Sequence, residues 1–179
     1  MTVPMMTAQD VPEVVRFLEQ QGIPVWLDGG WGVDALLGDQ RRPHKDLDVV
    51  LRLEDVDAVE RILRERGFAR VQGGAPMSLV LEDSRRRQID VHPARFDEDG
   101  NGVYRMDNGE DWVYPSAGFA GTGVVGGEPV RCLTPEVQMV CHTSYAFGDK
   151  DVQEVLALHE RFGVDVPAAY QENLKTKRR

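Results

Sequence analysis

The sequence predicts an α+β fold, in which a mixed sheet carries helices mainly on one face and a C-terminal helical part follows. Up to Gly67, the spacing of apolar residues alternates in the order helix, strand, helix, strand, helix. Residues 77–93 then show the period-two alternation of a hairpin, and the chain after Cys132 returns to helical signals. This order favours a sheet of roughly four or five strands with helices packed against it.

Local signals define the first five elements. Residues 8–21 predict a helix, because apolar side chains recur at helical spacing at Val11, Val14, Val15 and Leu18. Residues 23–28 predict a short buried strand, and residues 31–38 predict a short helix that ends at a glycine. A second strand is predicted over 46–53. Residues 54–67 predict a helix whose acidic first turn and basic last turn suit the helix dipole.

The middle of the chain predicts strands and loops. Residues 77–83 and 87–93 predict a hairpin joined by the turn-forming segment SRR. From 96 to 127 the chain is rich in Gly, Asp and Asn without a clear period, so we expect loops and short edge strands there. Residues 128–132 predict one more strand.

The last quarter of the chain is expected to be helical. The Thr-Pro pair at 134–135 is the favoured N-cap and first residue of a helix, and a last helix is expected near 149–162. These signals divide the chain into a core of residues 1–131 and a C-terminal helical part of residues 132–179. The basic residues 175–179 are expected to form a frayed, solvated tail.

Composition restricts the class of protein. A chain of 179 residues with 41% hydrophobic and 28% charged residues suits a globular domain with a real core. Apolar runs are too short to span a bilayer and no secretion signal is evident, so no membrane partner is expected. Cys132 and Cys141 lack histidines at zinc-site spacing, which predicts reduced thiols in a cytoplasmic protein. The net charge of −9 argues against a nucleic-acid partner and suits a cationic small molecule. We expect a monomer or a homodimer.

Two aspartates lie two residues apart in the second predicted strand. Because side chains alternate along a strand, Asp46 and Asp48 share one face and the apolar residues between them face the core. Asp90, in the second strand of the hairpin, could project in the same direction. Neighbouring carboxylates repel each other unless a cation lies between them, and oxygen ligands suit Mg²⁺, with Mn²⁺ as an alternative. Taken alone, the pair also fits an exposed strand face with ordinary surface aspartates.

Two adjacent glycines precede these aspartates. Gly29 and Gly30 close the first predicted strand, and a helix beginning at Trp31 would offer phosphate its free backbone N–H groups and its positive dipole end. The pattern is neither the Gly-x-Gly-x-x-Gly fingerprint of dinucleotide-binding proteins nor a Walker loop. A phosphate cradle beside a carboxylate cluster suits chemistry on a nucleoside triphosphate.

Three segments carry a resemblance to a known family. WLDGGWGVD, HKDLDVV and IDVHP occur in an order and spacing similar to those of the small antibiotic nucleotidyltransferases of the polymerase-β-like superfamily. FDEDGNG, GEPVRC and PEVQMVCHTSYAF extend the resemblance over most of the chain, to the lincosamide nucleotidyltransferases and more loosely to the aminoglycoside 2''-nucleotidyltransferases. The resemblance implies a polymerase-β-like nucleotidyltransferase fold that uses two Mg²⁺ ions and a nucleoside triphosphate, ATP. The implied reaction transfers AMP to a hydroxyl of a lincosamide or an aminoglycoside, which releases pyrophosphate and inactivates the drug.

The resemblance also implies roles for individual residues. Asp46 and Asp48 would bind both metal ions. Asp90 would bind the catalytic ion and accept, or help to remove, the proton of the acceptor hydroxyl. Gly29 and Gly30 would hold oxygens of the triphosphate.

Four further residues are weaker candidates. His44 and Lys150 are candidates for binding the nucleotide, although a solvated turn histidine and an exposed lysine at a helix start are the structural alternatives. His92 and Tyr145 match positions near the acceptor in the family, although a tyrosine at helical spacing also fits a core or rim position. Residues 97–111 contain six acids and one arginine, a net charge of −5, which could attract a cationic acceptor or form a solvated loop.

Two other classes of function remain open at this stage. A minimal nucleotidyltransferase that modifies a protein or an RNA end would favour a basic surface around its acceptor site, which a chain of net charge −9 lacks overall. A non-catalytic nucleotide-binding module would be favoured by the lack of a third carboxylate, but Asp90 is present in the sequence. The acceptor site and Asp90 therefore discriminate between these classes.

Overall fold

The computed structural model describes residues 5–177. Helices and strands alternate in the first part of the chain, with a short 3₁₀ turn at Leu53–Asp55: α1 (Asp10–Gln20), β1 (Trp26–Leu27), α2 (Gly29–Leu37), β2 (Asp46–Arg52) and α3 (Val56–Arg64). Five strands follow: β3 (Ala69–Gly73), β4 (Leu79–Glu82), β5 (Gln88–Phe96), β6 (Gly102–Arg105) and β7 (Asp111–Tyr114). A second 3₁₀ turn, Ser116–Ala120, leads to the last elements: β8 (Thr122–Val125), β9 (Glu128–Arg131), α4 (Pro135–Cys141), α5 (Asp149–Phe162) and α6 (Ala168–Lys177).

The main sheet is mixed. In the part of the chain that the structure describes, it has seven strands, more than the four or five expected from the sequence. Its central path runs β1-β2-β5-β4-β3, and β6 pairs with the end of β5 and with β7. β2 and β5 are parallel, while the other neighbours are antiparallel. The predicted α+β class with a mixed sheet is confirmed.

The sheet separates an apolar face from a polar one. Alternate residues of β2 and β5 point into a core with the apolar sides of α1 and α3, where Leu47, Leu51 and Ile89 are at most 1% exposed. Each such side chain, once fully buried, contributes roughly 1.5–3 kcal/mol to folding. The residues between them point to the opposite face, where they can carry the chemistry of a site.

The helices after residue 132 pack on α2. Val33 of α2 lies in one cluster with buried residues of the three last helices: Met139, Val155, Leu158 and Tyr170. No helix within residues 5–177 is both long and apolar enough to cross a membrane. The division of the chain between residues 131 and 132 stays a prediction.

Several boundaries differ from the expectation. α2 begins at Gly29 rather than at Trp31, because the Asp28 side chain accepts a hydrogen bond from the Gly29 N–H and caps the helix. β3 was missed because all of its residues are exposed, so they show no alternation. α6 was also missed: it includes residues 175–177 of the expected frayed tail, and residues 178 and 179 lie outside the described range.

Candidate active site

The parallel pairing of β2 and β5 brings the aspartates together. Asp48 lies directly opposite Asp90, and Val49 lies opposite Val91. Opposite residues of paired strands project to the same face, so Asp48 and Asp90 are neighbours, and Asp46 shares that face two residues earlier. The structure thus places all three aspartates on the polar face of the sheet, as the strand alternation predicted.

Burial and the charge of neighbouring carboxylates make Asp46 and Asp90 harder to ionise. Burial raises the pKa of Asp46, and the charge of Asp48 raises it further. Burial also raises the pKa of Asp90 to about 6, against the opposing charge of His92 and with smaller contributions from Asp48 and Asp46. A bound divalent ion would offset this repulsion and favour the ionised carboxylates.

His92 belongs to the same cluster. Its Nε2 lies 3.5 Å from Asp48 Oδ1 and 3.9 Å from Asp90 Oδ1, and its ring packs edge-on against Tyr104. Burial alone would lower the pKa of His92, but the hydrogen bond to Asp48 and the nearby negative charges raise it to about 9. The residue predicted near the acceptor therefore lies within reach of the carboxylates.

The carboxylates of this cluster fit a hard divalent cation. Ligand atoms of Asp48, Asp90 and His92 all lie within 4.8 Å of one another. Asp90 Oδ1 is buried and has no hydrogen-bond partner among the described residues. A buried carboxylate oxygen without a partner is costly, and Mg²⁺ or Mn²⁺ would supply the missing interaction.

The glycines allow the start of α2 to lie close to this cluster. Gly29 has φ +58°, and a Cβ added to it would lie 2.4 Å from Asp48 Oδ2. A Cβ at Gly30 would lie 2.3 Å from His44 Nδ1. Only residues without a side chain fit here, so the amide end of the helix faces the space above the aspartates, where phosphate would be stabilised.

His44 is buried, so it is not the solvated turn histidine that the sequence offered as an alternative. It is 3% exposed, its Nε2 is paired with the Asp34 carboxylate, and its ring packs against Trp31. Asp34 thereby holds the ring orientation, and His44 still lines the cavity described below. Trp31 and Trp26 are packing residues, and the Trp26 N–H donates to the Phe119 carbonyl.

A cavity of about 440 Å³ joins these groups to the C-terminal helices. Lys150, the second residue of α5, is exposed yet lines the cavity, and its charge acts on Asp46. Tyr145 lies at the rim with 49% of its surface exposed, and its hydroxyl donates to Asp151. The remaining predicted residues on the lining are Gly29, Gly30, His44, Asp46, Asp48 and His92. Asp90 is not among the described lining residues.

An ionic network, absent from the sequence interpretation, forms part of the wall. Arg42 donates to Glu154, a residue 112 positions away, and Glu154 also contacts His142. Burial opposes ionisation of Glu154, but hydrogen bonds from His142 and Arg42 outweigh it and lower the pKa. No local sequence signal predicts this contact, because its partners meet only when α5 packs on the core.

The acidic side chains of segment 97–111 do not line the cavity. None of its six acids is among the described lining residues. Asp97 instead accepts hydrogen bonds within its own turn, and Asp111 pairs with Arg105 on the surface. The segment contributes Tyr104 and Met106 to the lining, which favours the interpretation of its acids as a solvated surface.

Similar proteins of known class match most of the chain. The family described as aminoglycoside-2''-adenylyltransferase matches residues 10–158. A lincosamide resistance protein of Staphylococcus haemolyticus is 26% identical over 146 residues, which cover 82% of this chain and 90% of the relative. A 2''-aminoglycoside nucleotidyltransferase of Escherichia coli is 26% identical over 139 residues, 76% of this chain and 72% of the relative.

Solved structures show the same fold. The lincomycin-bound crystal structure of the lincosamide antibiotic adenylyltransferase LnuA superimposes with a TM-score of 0.75 at 25% identity, covering 86% of this chain and 97% of that one. The solution structure of ANT(2'')-Ia gives a TM-score of 0.70 at 20% identity, covering 95% and 89%, which supports the fold alone. The predicted resemblance is confirmed, and the chain belongs to the aminoglycoside-2''-adenylyltransferase family and is an enzyme of the nucleotidyltransferase class.

Proposed function

We propose that the enzyme transfers AMP from ATP to a hydroxyl group of a small antibiotic, with a lincosamide as the preferred acceptor, and that it requires two Mg²⁺ ions. The observation that carries this proposal is the register of β2 and β5, which sets Asp48 opposite Asp90. The N-terminal end of α2 lies directly beside that pair. A carboxylate cluster next to free helix amides suits the binding of a metal-bound triphosphate.

Different residues of the chain act at different steps of the proposed reaction. The acceptor oxygen attacks the α-phosphorus, the bond from that phosphorus to the bridging oxygen breaks, and pyrophosphate leaves. Asp90 accepts the proton of the hydroxyl, a role suited to a carboxyl group whose pKa is raised to about 6. Bound Mg²⁺, held by Asp46, Asp48 and Asp90, would lower the pKa of the acceptor hydroxyl and neutralise charge on the leaving pyrophosphate.

One wall of the cavity is basic and suits the triphosphate. Four cationic or imidazole side chains line it beside the amide end of α2: Arg42, His44, Lys45 and Lys150. Attraction from several positive groups in a partly enclosed site compensates for the negative charge of the nucleotide. The overall acidity of the protein is therefore no obstacle to binding ATP.

Another part of the cavity suits an acceptor with an apolar surface. It is lined by aromatic and thioether side chains of β6, β7 and the segment between them: Tyr104, Met106, Trp112 and Tyr114. Three acids of the lining outside the proposed metal site, Asp28, Asp151 and Glu154, already have partners: the Gly29 N–H, the Tyr145 hydroxyl and Arg42. This balance favours a lincosamide over a more highly charged aminoglycoside, in line with the likeness to a lincosamide resistance protein.

The decisive experiment measures pyrophosphate release with a panel of lincosamides and aminoglycosides and with each nucleoside triphosphate. We expect the largest turnover with a lincosamide and ATP in Mg²⁺, a smaller rate in Mn²⁺, and a drug whose mass has increased by one AMP. Turnover only with aminoglycosides would refute the acceptor class. AMP attached to the protein or to RNA, with no modified drug, would favour the alternative function, a nucleotidyltransferase that modifies a protein or an RNA end.

A matched pair of variants tests the metal site. Asp48→Asn should reduce transfer by orders of magnitude while the protein stays folded, because removing one charge relieves repulsion in the metal-free cluster. Asp57→Asn changes an exposed aspartate of α3 and should leave turnover unchanged. Wild-type turnover by Asp48→Asn at saturating Mg²⁺ would contradict the metal assignment.

A further inference from the structure

The guanidinium group of Arg42 is held in a defined position between the core and the C-terminal helices. Its Nε and Nη2 donate to Glu154 Oε1 at 3.0 and 2.5 Å, and its Nη1 donates to the Pro43 carbonyl at 3.3 Å. Arginine has five N–H groups, so these three bonds leave two available to a ligand. Arg42 lines the cavity, and 30% of its side chain is exposed.

Arg42 lies at the amide end of α2. A Cβ added to Gly30 would lie 2.8 Å from Arg42 Nη2, so the guanidinium covers the second residue of the helix. Free backbone N–H groups and an arginine side chain then face the same part of the cavity. Both groups donate hydrogen bonds to phosphate oxygens, and arginine can do so with two parallel bonds.

Glu154 is placed to orient this arginine. It lies on α5 in the C-terminal part, is 9% exposed, and receives hydrogen bonds from two sides. On the second side, His142 Nδ1 lies 2.7 Å from the Gln138 carbonyl and Nε2 lies 2.9 Å from Glu154 Oε2. A carbonyl and a carboxylate can only accept, so both ring nitrogens carry protons and His142 is cationic. Glu154 therefore holds Arg42 without cancelling the positive charge of the wall.

We propose that Arg42 binds oxygens of the β- or γ-phosphate and that Glu154 is the positioning residue that aims its guanidinium at them. This inference rests on the proposed function, because it assigns a contact to the nucleotide of that reaction. It also explains why a buried carboxylate of the C-terminal part is paired with a loop of the core. The pair of Glu154 and Arg42 aligns the α5 side of the phosphate site with the α2 side.

Calorimetric titration of ATP and of AMP, with Mg²⁺ present and acceptor absent, tests the contact. Arg42→Ala should weaken ATP binding by about 10- to 100-fold, the value of about one charged hydrogen bond, and leave AMP binding unchanged. Arg42→Lys should recover part of the loss, since it keeps the charge without the two-pronged geometry. Arg41→Ala, which removes an exposed neighbouring arginine, should behave as wild type.

Two variants of Glu154 test the positioning role. Glu154→Gln still offers an oxygen to Arg42 and should stay within a few-fold of wild type for ATP, whereas Glu154→Leu should weaken ATP binding as Arg42→Ala does. Thermal melts report whether each variant is folded. If Arg42→Ala does not fold, the ATP affinity of Arg42→Lys still tests the contact.

The outcomes separate this inference from the proposed function. Wild-type ATP affinity in Arg42→Ala, or an equal loss for ATP and AMP, would overturn the phosphate contact and leave the proposed reaction standing. Wild-type affinity in Glu154→Leu would overturn the positioning role. A wild-type protein that binds no nucleoside triphosphate would overturn the proposed function and this inference with it.

Discussion

Replacing Gly29 by alanine tests how closely α2 must approach the aspartates. Gly29 has φ +58°, a left-handed conformation that costs an alanine roughly 1–2 kcal/mol. Gly22 offers a matched control, because it has φ +78° and a Cβ added there would meet nothing within 4 Å. This conformational cost should lower the free energy of unfolding in both variants.

Only the Gly29 variant should disturb the site. Its new Cβ would lie 2.4 Å from Asp48 Oδ2, and tight contacts begin to relax only near 3.4 Å, so the carboxylate must be displaced by about 1 Å. A misplacement of this size typically costs on the order of 10²-fold in rate. The carboxylate is partly buried and lies beside Asp90, so it cannot move freely to accommodate the methyl group.

The measurements are the thermal midpoint and the initial rate of pyrophosphate release with the best acceptor. We expect Gly22→Ala to melt about 2–8 °C below wild type, which is 1–2 kcal/mol for a chain of this size, and Gly29→Ala to melt at least as far below. Turnover should fall on the order of 10²-fold in Gly29→Ala and stay near wild type in Gly22→Ala. If the two variants retain equal turnover, the position of Asp48 does not depend on the glycine and the reasoning is refuted.

Three further predictions concern charge. Asp90→Asn should keep the ATP affinity, measured by calorimetry, within roughly tenfold of wild type, which is about 1.4 kcal/mol, while initial rates fall by ~10²–10⁴-fold. Unchanged rates would show that Asp90 takes no part in the chemistry. Burial opposes ionisation of Asp10, but hydrogen bonds from Thr7 and the charge of Arg87 outweigh it and lower the pKa. The stability from Asp10 is thus complete above the ordinary pKa of about 3.9 and is lost as the pH falls through the lower native value. Urea unfolding should show wild type and Asp10→Asn converging as the pH falls below about 4, and a constant difference would contradict this. A chelator should remove the stabilisation that Mg²⁺ provides, which is about 2.7 kcal/mol when free Mg²⁺ is at a hundredfold excess over its Kd. If Mg²⁺ stabilises Asp48→Asn as much as it stabilises wild type, Asp48 is not a ligand of the ion.

The carboxylate face was predictable because strand alternation is a local property. Asp46 and Asp48 had to share a face, and Asp90 lay between two apolar residues of another strand, so parallel pairing of the two strands was enough to bring them together. The last long helix, α5, carried equally clear signals, and its observed span Asp149–Phe162 matches the expectation.

Other features depend on contacts that no local pattern encodes. Arg42 and Glu154 are 112 positions apart and interact only after the C-terminal helices pack on α2. The start of α2 was misplaced because glycine disfavours helix interiors, yet the Asp28 cap and the close approach to Asp48 require it there. Asp34 was not singled out, since only the folded core reveals that it holds His44.

The parallel pairing of β2 and β5 also has a kinetic consequence for folding. Parallel neighbours cannot be joined by a tight turn, so Asp48 and His92, 44 positions apart, meet only after the intervening crossover has formed. Pairings that close such long loops form slowly. Until these two strands pair, the chain therefore has neither the repulsion nor the cation affinity of the completed cluster. Metal binding would report the completion of the sheet, and a divalent ion should slow unfolding more than it accelerates folding.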